Sequence, residues 1–303
     1  MNPNTQNSLH PLDHLALIRV SGDDAAHFLQ GQLTCDVRTL TDAAASIAAF
    51  CNPKGRVIST LLLLKNGSEF WLVLPRSLLD KVIQKLRMYV LRSKVQLCDG
   101  RESHQILGLN YPQAHPSLTW HAKAFRITHE SGVMVALPST HPRFLYLSER
   151  DAPSSLMATL DAAHFVQSSA EIWRYQDIGD GFPWFEIDRT EQFIPQMLNI
   201  DGLGGISFNK GCYTGQEIVA RTHYLGKAKR QLFVAECQGE IARRETMTVL
   251  SLDTREKRGD VLAWQNLNGC CRLLLVLQMM DDESKGFILD DEPNTELTLL
   301  PGQ

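Results

Sequence analysis

The chain has 303 residues, which is too long for one simple hydrophobic core, so its length predicts two or three domains. Hydrophobic residues make up 44% and charged residues 21%, a balance that is typical of compact globular proteins and excludes a disordered or fibrous chain. The net charge is -4, so the protein as a whole carries no positive surface for nucleic acid, and any basic site must be local.

The N-terminus and the cysteines indicate the compartment. Residues 1–14 have no apolar core behind a positive region, so they do not form a secretory signal, and no apolar run is long enough to span a membrane. The seven cysteines lack CxxC or Cys/His ligand spacing and are odd in number, which favours a reducing compartment and no structural zinc. We therefore expect a cytoplasmic protein without a membrane partner.

Residues 1–103 predict an N-terminal α+β domain. The predicted elements are a strand at 14–20, a short helix after it, β-rich runs at 46–51, 56–64 and 69–74, an amphipathic helix at 77–93 and a strand at 95–98. Ser21, followed three residues later by Asp24, predicts the N-cap of the short helix, whose Phe28 and Leu29 are expected in the core. The polar residues that follow either hold a ligand or satisfy a turn, and we favour the turn. They are Gln30, Gln32, Thr34 and Asp36.

Residues 104–228 predict a second α+β region, which can interleave with the first. Its predicted elements are strands at 106–109, 132–138 and 143–148, with a Pro-rich loop near 112–116 between the first two, and a helix at 154–163. It also contains the sequence KGCYTGQE.

Residues 229–303 consist of six short β-rich runs separated by Gly, Asp and Asn turns, a pattern that is typical of a small β-barrel or sandwich. We predict a C-terminal β-barrel. The neighbouring Cys270 and Cys271 are expected on opposite faces of one strand, which disfavours a shared metal site.

The densest polar feature is GGISFNKGCYTGQEIVARTHYLGKAKR, residues 204–230. Between residues 210 and 230, five basic side chains stand against Glu217 alone, so an acidic protein concentrates positive charge around Cys212. Cys212 lies two residues after Lys210, before a helix predicted to begin near 214 or 215. A helix N-terminus and nearby cations both stabilise a thiolate, so one hypothesis is a reactive Cys212 with a lowered pKa. The alternative is an inert, half-buried cysteine in a structural turn.

KGCYTGQEIVAR resembles the signature of the YgfZ folate-binding family, and three further segments occur in the order that this family shows. These segments are FLQGQLTCDV at 28–37, CNPKGRV at 51–57 and the run at 181–212 that leads into the motif. The resemblance covers nearly the whole chain. It implies an α+β fold like that of the glycine-cleavage T-protein, with three domains in a ring around a central folate channel and a C-terminal β-barrel.

The resemblance also implies site residues. Lys210 and Cys212 match the motif positions regarded as functional, and Trp173 matches an aromatic residue that lines the folate site, although a place in the core is equally open for it. Leu15 stands where close relatives carry a second tryptophan, so stacking is lost there. The remaining residues that we assign to binding of tetrahydrofolate or a one-carbon derivative are Tyr213, Gln216, Glu217 and Arg221.

The function that the resemblance implies is that of a tetrahydrofolate-binding accessory protein. It would support iron–sulfur enzymes, including those that thiomethylate tRNA, and so would act in tRNA modification indirectly, without binding nucleic acid itself. Whether it catalyses a reaction stays open, and a transferase activity through Cys212 is one form that catalysis could take.

Two alternatives are weaker. A folate-dependent aminomethyltransferase resembling the T-protein needs an aspartate pair, but Ser59 and Thr60 occupy those positions, and hydroxyl groups of ordinary pKa cannot replace a carboxylate. A cysteine hydrolase or transferase would pair Cys212 with His223. No Asn or Asp follows in an evident position to orient that histidine, and a solvated role fits it better.

Overall fold

The computed structural model describes residues 6–111, 125, 127–129, 132–139, 141–151, 164–226, 228–242, 244, 247–278, 286–290 and 292–301. In chain order, the strands of the first half are β1 Ser8–Pro11, β2 Leu15–Ser21, β3 Ser46–Cys51, β4 Val57–Asn66, β5 Glu69–Pro75, β6 Gln96–Asp99, β7 His104–Asn110, β8 Ile127–His129, β9 Val133–Ala136 and β10 Arg143–Glu149. The later strands are β11 Val166–Gln167, β12 Arg230–Gln238, β13 Thr248–Ser251, β14 Lys257–Leu267, β15 Cys270–Gln278, β16 Phe287–Leu289 and β17 Glu292–Leu299. The α-helices of the described residues are α1 Ala25–Gln30, α2 Leu79–Val90, α3 Ala170–Gly179 and α4 Gln216–Leu225.

The N-terminal sheet has five antiparallel strands in the order β3-β4-β5-β2-β6. Strand β4 is buried continuously from Val57 to Leu64, because both faces of this sheet are covered and an unbroken apolar run is stable there. Helices α1 and α2 pack against the same sheet. The hairpin series and the amphipathic helix predicted from the sequence therefore form one unit of two layers, with the helix packed on the sheet.

Ser21 does not cap helix α1, which corrects one prediction. Ser21 is the last residue of β2, and Asp24 occupies the N-cap position without a side-chain cap. The Asp24 carboxylate instead accepts a hydrogen bond from the backbone N of Lys94 at 2.7 Å. Its role is to hold the chain leaving α2 rather than to start α1.

The second sheet has the strand order β11-β1-β7-β10-β9-β8. Strand β1 pairs with β7 and β11, so the N-terminus of the chain belongs to the second sheet and crosses the boundary drawn at 103. The sequence pattern does not reveal β1 because it has four residues and ends in proline, which breaks the alternation. The helix predicted at 154–163 and the loop at 112–116 lie outside the described residues.

The C-terminal region is a closed six-stranded barrel in the order β12-β15-β14-β13-β16-β17, as the six predicted runs required. Closure pairs both edges of the sheet, so the barrel leaves no open strand edge. Cys271 is buried in the barrel and lies opposite Cys237, whereas Cys270 is half-exposed, so the neighbouring cysteines do face opposite sides of β15.

Helix α3 lies between the C-terminal barrel and the second sheet. It packs against β14 and β15 of the barrel and against β1 of the second sheet. Its buried positions include Gln176 and Asp177 as well as Trp173. Because two of the buried positions are polar, the spacing of apolar residues does not predict this helix. In the part of the chain that the structure describes, no helix is both long and apolar enough to cross a membrane.

Candidate functional site

Cys212 lies in an exposed turn between two buried neighbours. We call residues 205–215 the motif loop. Within this loop Cys212 is exposed, while Lys210 and Tyr213 keep only 6% and 7% of their surface. Helix α4 begins at Gln216, close to the predicted start. The loop therefore presents its cysteine to solvent while its flanking side chains anchor it.

Lys210 is the main anchor. Its Nζ donates hydrogen bonds of 2.7 Å to the backbone oxygens of both Leu33 and Cys35 and lies 5.0 Å from the ring centre of Tyr213. Burial lowers the pKa of Lys210 to about 8. The Lys210 side chain, with two backbone oxygens as partners, ties the motif loop to the N-terminal domain. This contact holds the loop, and with it Cys212, in a fixed place.

The segment 31–35 braces the motif loop along its length. Thr34 is fully buried; its Oγ1 donates to the Gly205 oxygen at 2.7 Å and accepts from the Ala49 N at 2.9 Å. The backbone N of Thr214 bonds the Gly31 oxygen at 3.1 Å. Two segments that are more than 170 residues apart in the sequence thus share one hydrogen-bond network, which the sequence alone does not reveal.

Of the four polar residues that follow Leu29, Gln30 and Asp36 satisfy a turn, as we favoured, whereas Gln32 and Thr34 bond to the motif loop. Gln30 accepts from the backbone N of Val37 at 2.8 Å and donates to Asp36 at 2.9 Å. Phe28 and Leu29 lie in the core. This segment is accordingly a scaffold for the motif loop.

Gly215 starts α4 against the turn at 52–55. Its φ of +84° is in the left-handed region, and a Cβ there would lie 2.6 Å from the Asn52 oxygen and 2.9 Å from the Gly55 Cα. Only glycine allows this close approach of two backbones. All four segments that carry the family resemblance therefore meet at one place, since the run at 181–212 also bonds Val57 and Thr34.

His223 is packed against an aromatic ring. It stacks on Phe208 with ring centroids 3.7 Å apart, and Tyr224 meets it edge-on. Among the described residues no hydrogen bond joins His223 to Cys212. The geometry gives no support to a Cys–His pair of the hydrolase type.

A separate cavity of about 650 Å³ lies between the N-terminal sheet, α3, the segment after α3 and strand β14 of the barrel. We call it the central cavity. Its volume is in the range of small-molecule sites. The lining consists of His14, Leu15, Pro75, Ser77, Glu171, Arg174, Asp177, Ile178, Phe182, Trp184, Phe185, Glu186, Ile187, Asp188, Arg189, Arg244, Val261, Leu262, Ala263, Trp264 and Gln265.

The lining of the central cavity combines flat aromatic walls with charges. Trp184 and Trp264 are half-buried, and Phe182 packs 4.8 Å from Trp184 between ring centres. Arginines and carboxylates occur together around the same space. Indole faces can stack on a flat ring, and arginine can pair with acidic groups.

Trp173 takes the place in the core that the sequence left open for it, and it does not line the central cavity. It is fully buried, with the Arg143 guanidinium carbon 4.0 Å above its ring and the His10 ring 5.5 Å away. A Cβ on Gly108 would lie 2.4 Å from its indole, so strand β7 covers it closely. A tryptophan packed in this way offers no free face for stacking a ligand.

Asp177 is the buried carboxylate at the cavity wall. Burial raises its pKa to about 6, against the opposing effect of Arg143, whose Nη2 donates to it at 2.6 Å. Asp177 and Arg143 therefore form a buried ion pair beneath Trp173, in which the desolvation cost and the charge attraction largely offset each other.

Of the predicted binding residues, only Leu15 lines the central cavity. Lys210, Tyr213 and Gln216 hold the motif loop and the start of α4, and Cys212, Glu217 and Arg221 are exposed on them. The described lining of the cavity includes none of these six. The residues that sequence reasoning missed are Trp184, Trp264 and His14. Trp184 lies in the run at 181–212 that carries the family resemblance, the other two carry no motif, and only the fold brings the three together.

Ser59 and Thr60 are fully buried, and both hydroxyls bond to backbone oxygens. Ser59 Oγ donates to the Thr60 oxygen and Thr60 Oγ1 to the Pro183 oxygen, each at 2.7 Å. Each hydroxyl therefore donates its hydrogen to the backbone. No three His, Cys, Asp or Glu side chains of the described residues group as a metal site.

Comparison with known proteins supports the fold and the family. The model of the GCVT N-terminal domain matches residues 4–131. A tRNA-modifying protein YgfZ from Hamiltonella defensa is 37% identical over 228 residues, which is 73% of this chain and 68% of the relative. The protein of the same name from Klebsiella pneumoniae is 32% identical over 309 residues, which is 97% of this chain and 92% of the relative.

Among solved structures, aminomethyltransferase T of the glycine cleavage system from Bartonella henselae superimposes with a TM-score of 0.76, over 98% of this chain and 85% of that one. At 14% identity this likeness shows the fold alone. The prediction of a T-protein-like α+β fold with a C-terminal barrel is confirmed.

Proposed function

The chain belongs to the YgfZ family of tRNA-modifying proteins, and from this membership we propose that it takes part in tRNA modification as a folate-binding accessory protein. Its role would be to support iron–sulfur enzymes that thiomethylate tRNA, in the cytoplasm and without binding RNA itself. The observation that carries folate binding is the central cavity, whose size and aromatic lining suit a reduced folate.

The residues of the cavity fit the parts of a folate. Trp184 and Trp264 offer flat faces for the pterin and the benzoyl ring, and the arginines Arg174 and Arg244 are suited to the carboxylates of the glutamate tail. When bound, a reduced folate supplies a carrier for one-carbon units. The chain's own contribution is to orient the rings and exclude water.

We assign Cys212 to a different task from ligand binding. It is exposed on a loop that the Lys210 contacts hold in place, which suits a thiol that meets a partner protein. The aminomethyltransferase alternative is not favoured, because the Ser59 and Thr60 hydroxyls are bonded to backbone oxygens and no carboxylate stands at those positions.

The experiment is a titration with 5-formyltetrahydrofolate followed by tryptophan fluorescence. We expect saturable quenching in the wild type, and we expect Trp264→Phe to lose a clear part of it because Trp264 lines the cavity, with Trp184 accounting for the rest. Trp173→Phe is the matched control: its indole is buried elsewhere, so quenching should persist in the folded variant. Absence of quenching and of any calorimetric signal at millimolar ligand would remove folate from the proposal.

A further inference from the structure

His14 has polar atoms that nothing in the described part of the protein satisfies. Both ring nitrogens, Nδ1 and Nε2, are buried and lack a hydrogen-bond partner among the described residues. A buried polar group without a partner is costly, and native structures rarely keep one without a reason. The side chain lines the central cavity, so the reason can be a ligand.

The position of His14 is fixed by its backbone. It directly precedes Leu15, the first residue of β2, and its carbonyl oxygen accepts a hydrogen bond of 2.8 Å from the Arg76 N. Leu15 is itself part of the cavity wall. The imidazole therefore stands at the start of an inner strand of the sheet, where a ligand contact can be held in a constant geometry.

The imidazole is kept neutral. Burial, and next the positive charge of Arg174, lower the pKa of His14 to about 3. A neutral imidazole presents one N–H donor and one nitrogen acceptor, and it carries no charge with which to pair a carboxylate. This chemistry matches the uncharged edge of a pterin, where donors and acceptors adjoin, and not the glutamate tail, which the arginines of the cavity suit better.

We propose that His14 hydrogen-bonds the pterin ring of the folate in the central cavity and so sets the selectivity of the site for that ring. This inference rests on the proposed function. It also concerns a position beside Leu15, where the sequence lacks the aromatic residue expected from the family resemblance. A hydrogen-bonding imidazole next to an aliphatic side chain replaces a stacking contact with a polar one.

The test compares two variants with the wild type in calorimetric titrations with 5-formyltetrahydrofolate. His14→Phe keeps a ring of similar shape but removes both nitrogens, and we expect about a tenfold weaker affinity. His14→Gln keeps one donor and one acceptor, and its affinity should stay within about threefold of the wild type. The melting temperature of His14→Phe without ligand should be equal to or above that of the wild type, because an unsatisfied polar group has been removed from a buried place.

The outcomes separate the two claims. If the wild type binds the ligand but His14→Phe binds equally well, or if both variants lose affinity equally, the role of His14 is wrong while folate binding stands. A lowered melting temperature in His14→Phe would also overturn the inference, since it would indicate a packing role. If the wild type itself does not bind, folate binding fails and the inference fails with it.

Discussion

The motif loop and the central cavity are built in opposite ways. The motif loop is held by polar contacts to backbone atoms, such as those of Lys210 and Thr34, and it displays an exposed cysteine. The central cavity is lined by aromatic, aliphatic and charged side chains from five separate parts of the chain, and the residues of KGCYTGQE are absent from its described lining. The comparison teaches that the cysteine motif can mark a scaffold and a displayed group while the central cavity is formed by other parts of the chain, including residues 182–189 of the run that leads into the motif.

The largest effect expected from this comparison is that of Lys210→Met. The substitution leaves the Leu33 and Cys35 oxygens buried without their charged donor, and we expect the free energy of unfolding to fall by about 3 kcal/mol. Folate affinity of the folded protein should not change, because Lys210 does not line the cavity. Urea unfolding and calorimetry measure the two quantities, and Lys229→Met, which changes an exposed lysine nearby, serves as the control.

We also expect the stability difference between the wild type and Lys210→Met to depend on pH. Because burial lowers the pKa of Lys210 from 10.5 to about 8, the folded protein binds fewer protons than the unfolded chain between those two values. Wild-type stability relative to Lys210→Met should therefore rise with pH from about 8 to about 10.5. A difference that is flat across this range would mean that Lys210 is not desolvated in the folded protein.

A smaller loss is expected from Thr34→Val. Valine has nearly the same shape as threonine but leaves the Gly205 oxygen and the Ala49 N without the buried hydroxyl, so stability should fall by about 2 kcal/mol. Thr39→Val is matched to it, because that hydroxyl bonds the Asp36 oxygen at an exposed site and should matter by at most about 0.5 kcal/mol. Equal losses of stability in the two variants would show that the hydroxyl contacts of Thr34 do not brace the loop. Weakened folate binding in Thr34→Val would show that the structure of the motif loop affects the central cavity.

The same contrast explains what could be predicted from the sequence. Strand alternation, turns and the six C-terminal runs follow from local spacing, so the N-terminal sheet and the barrel were predictable. Gly215 and Lys210 belong to a contiguous motif because backbone geometry demands those residue types at fixed positions. Trp264 and His14 were not predictable as partners, since they are 250 residues apart and only tertiary packing brings them to one cavity. Trp173 was assigned by resemblance, and its burial under Arg143 is likewise a product of packing.

The smallest effect on folding is expected from Cys212→Ser, and for that reason it isolates the role of the thiol. An exposed side chain contributes little to packing, so stability should change by at most about 0.5 kcal/mol, and folate affinity should equal that of the wild type.

Function in the cell should nevertheless be lost in Cys212→Ser. We expect a strain that lacks the gene to show reduced thiomethylation of tRNA by mass spectrometry, with rescue by the wild type and not by Cys212→Ser. Cys98→Ser, at another exposed cysteine, is the matched control and should rescue fully. Full rescue by Cys212→Ser would mean that the motif loop works through its fold and not through its sulfur, and the exposed thiol would then have no part in the proposed function.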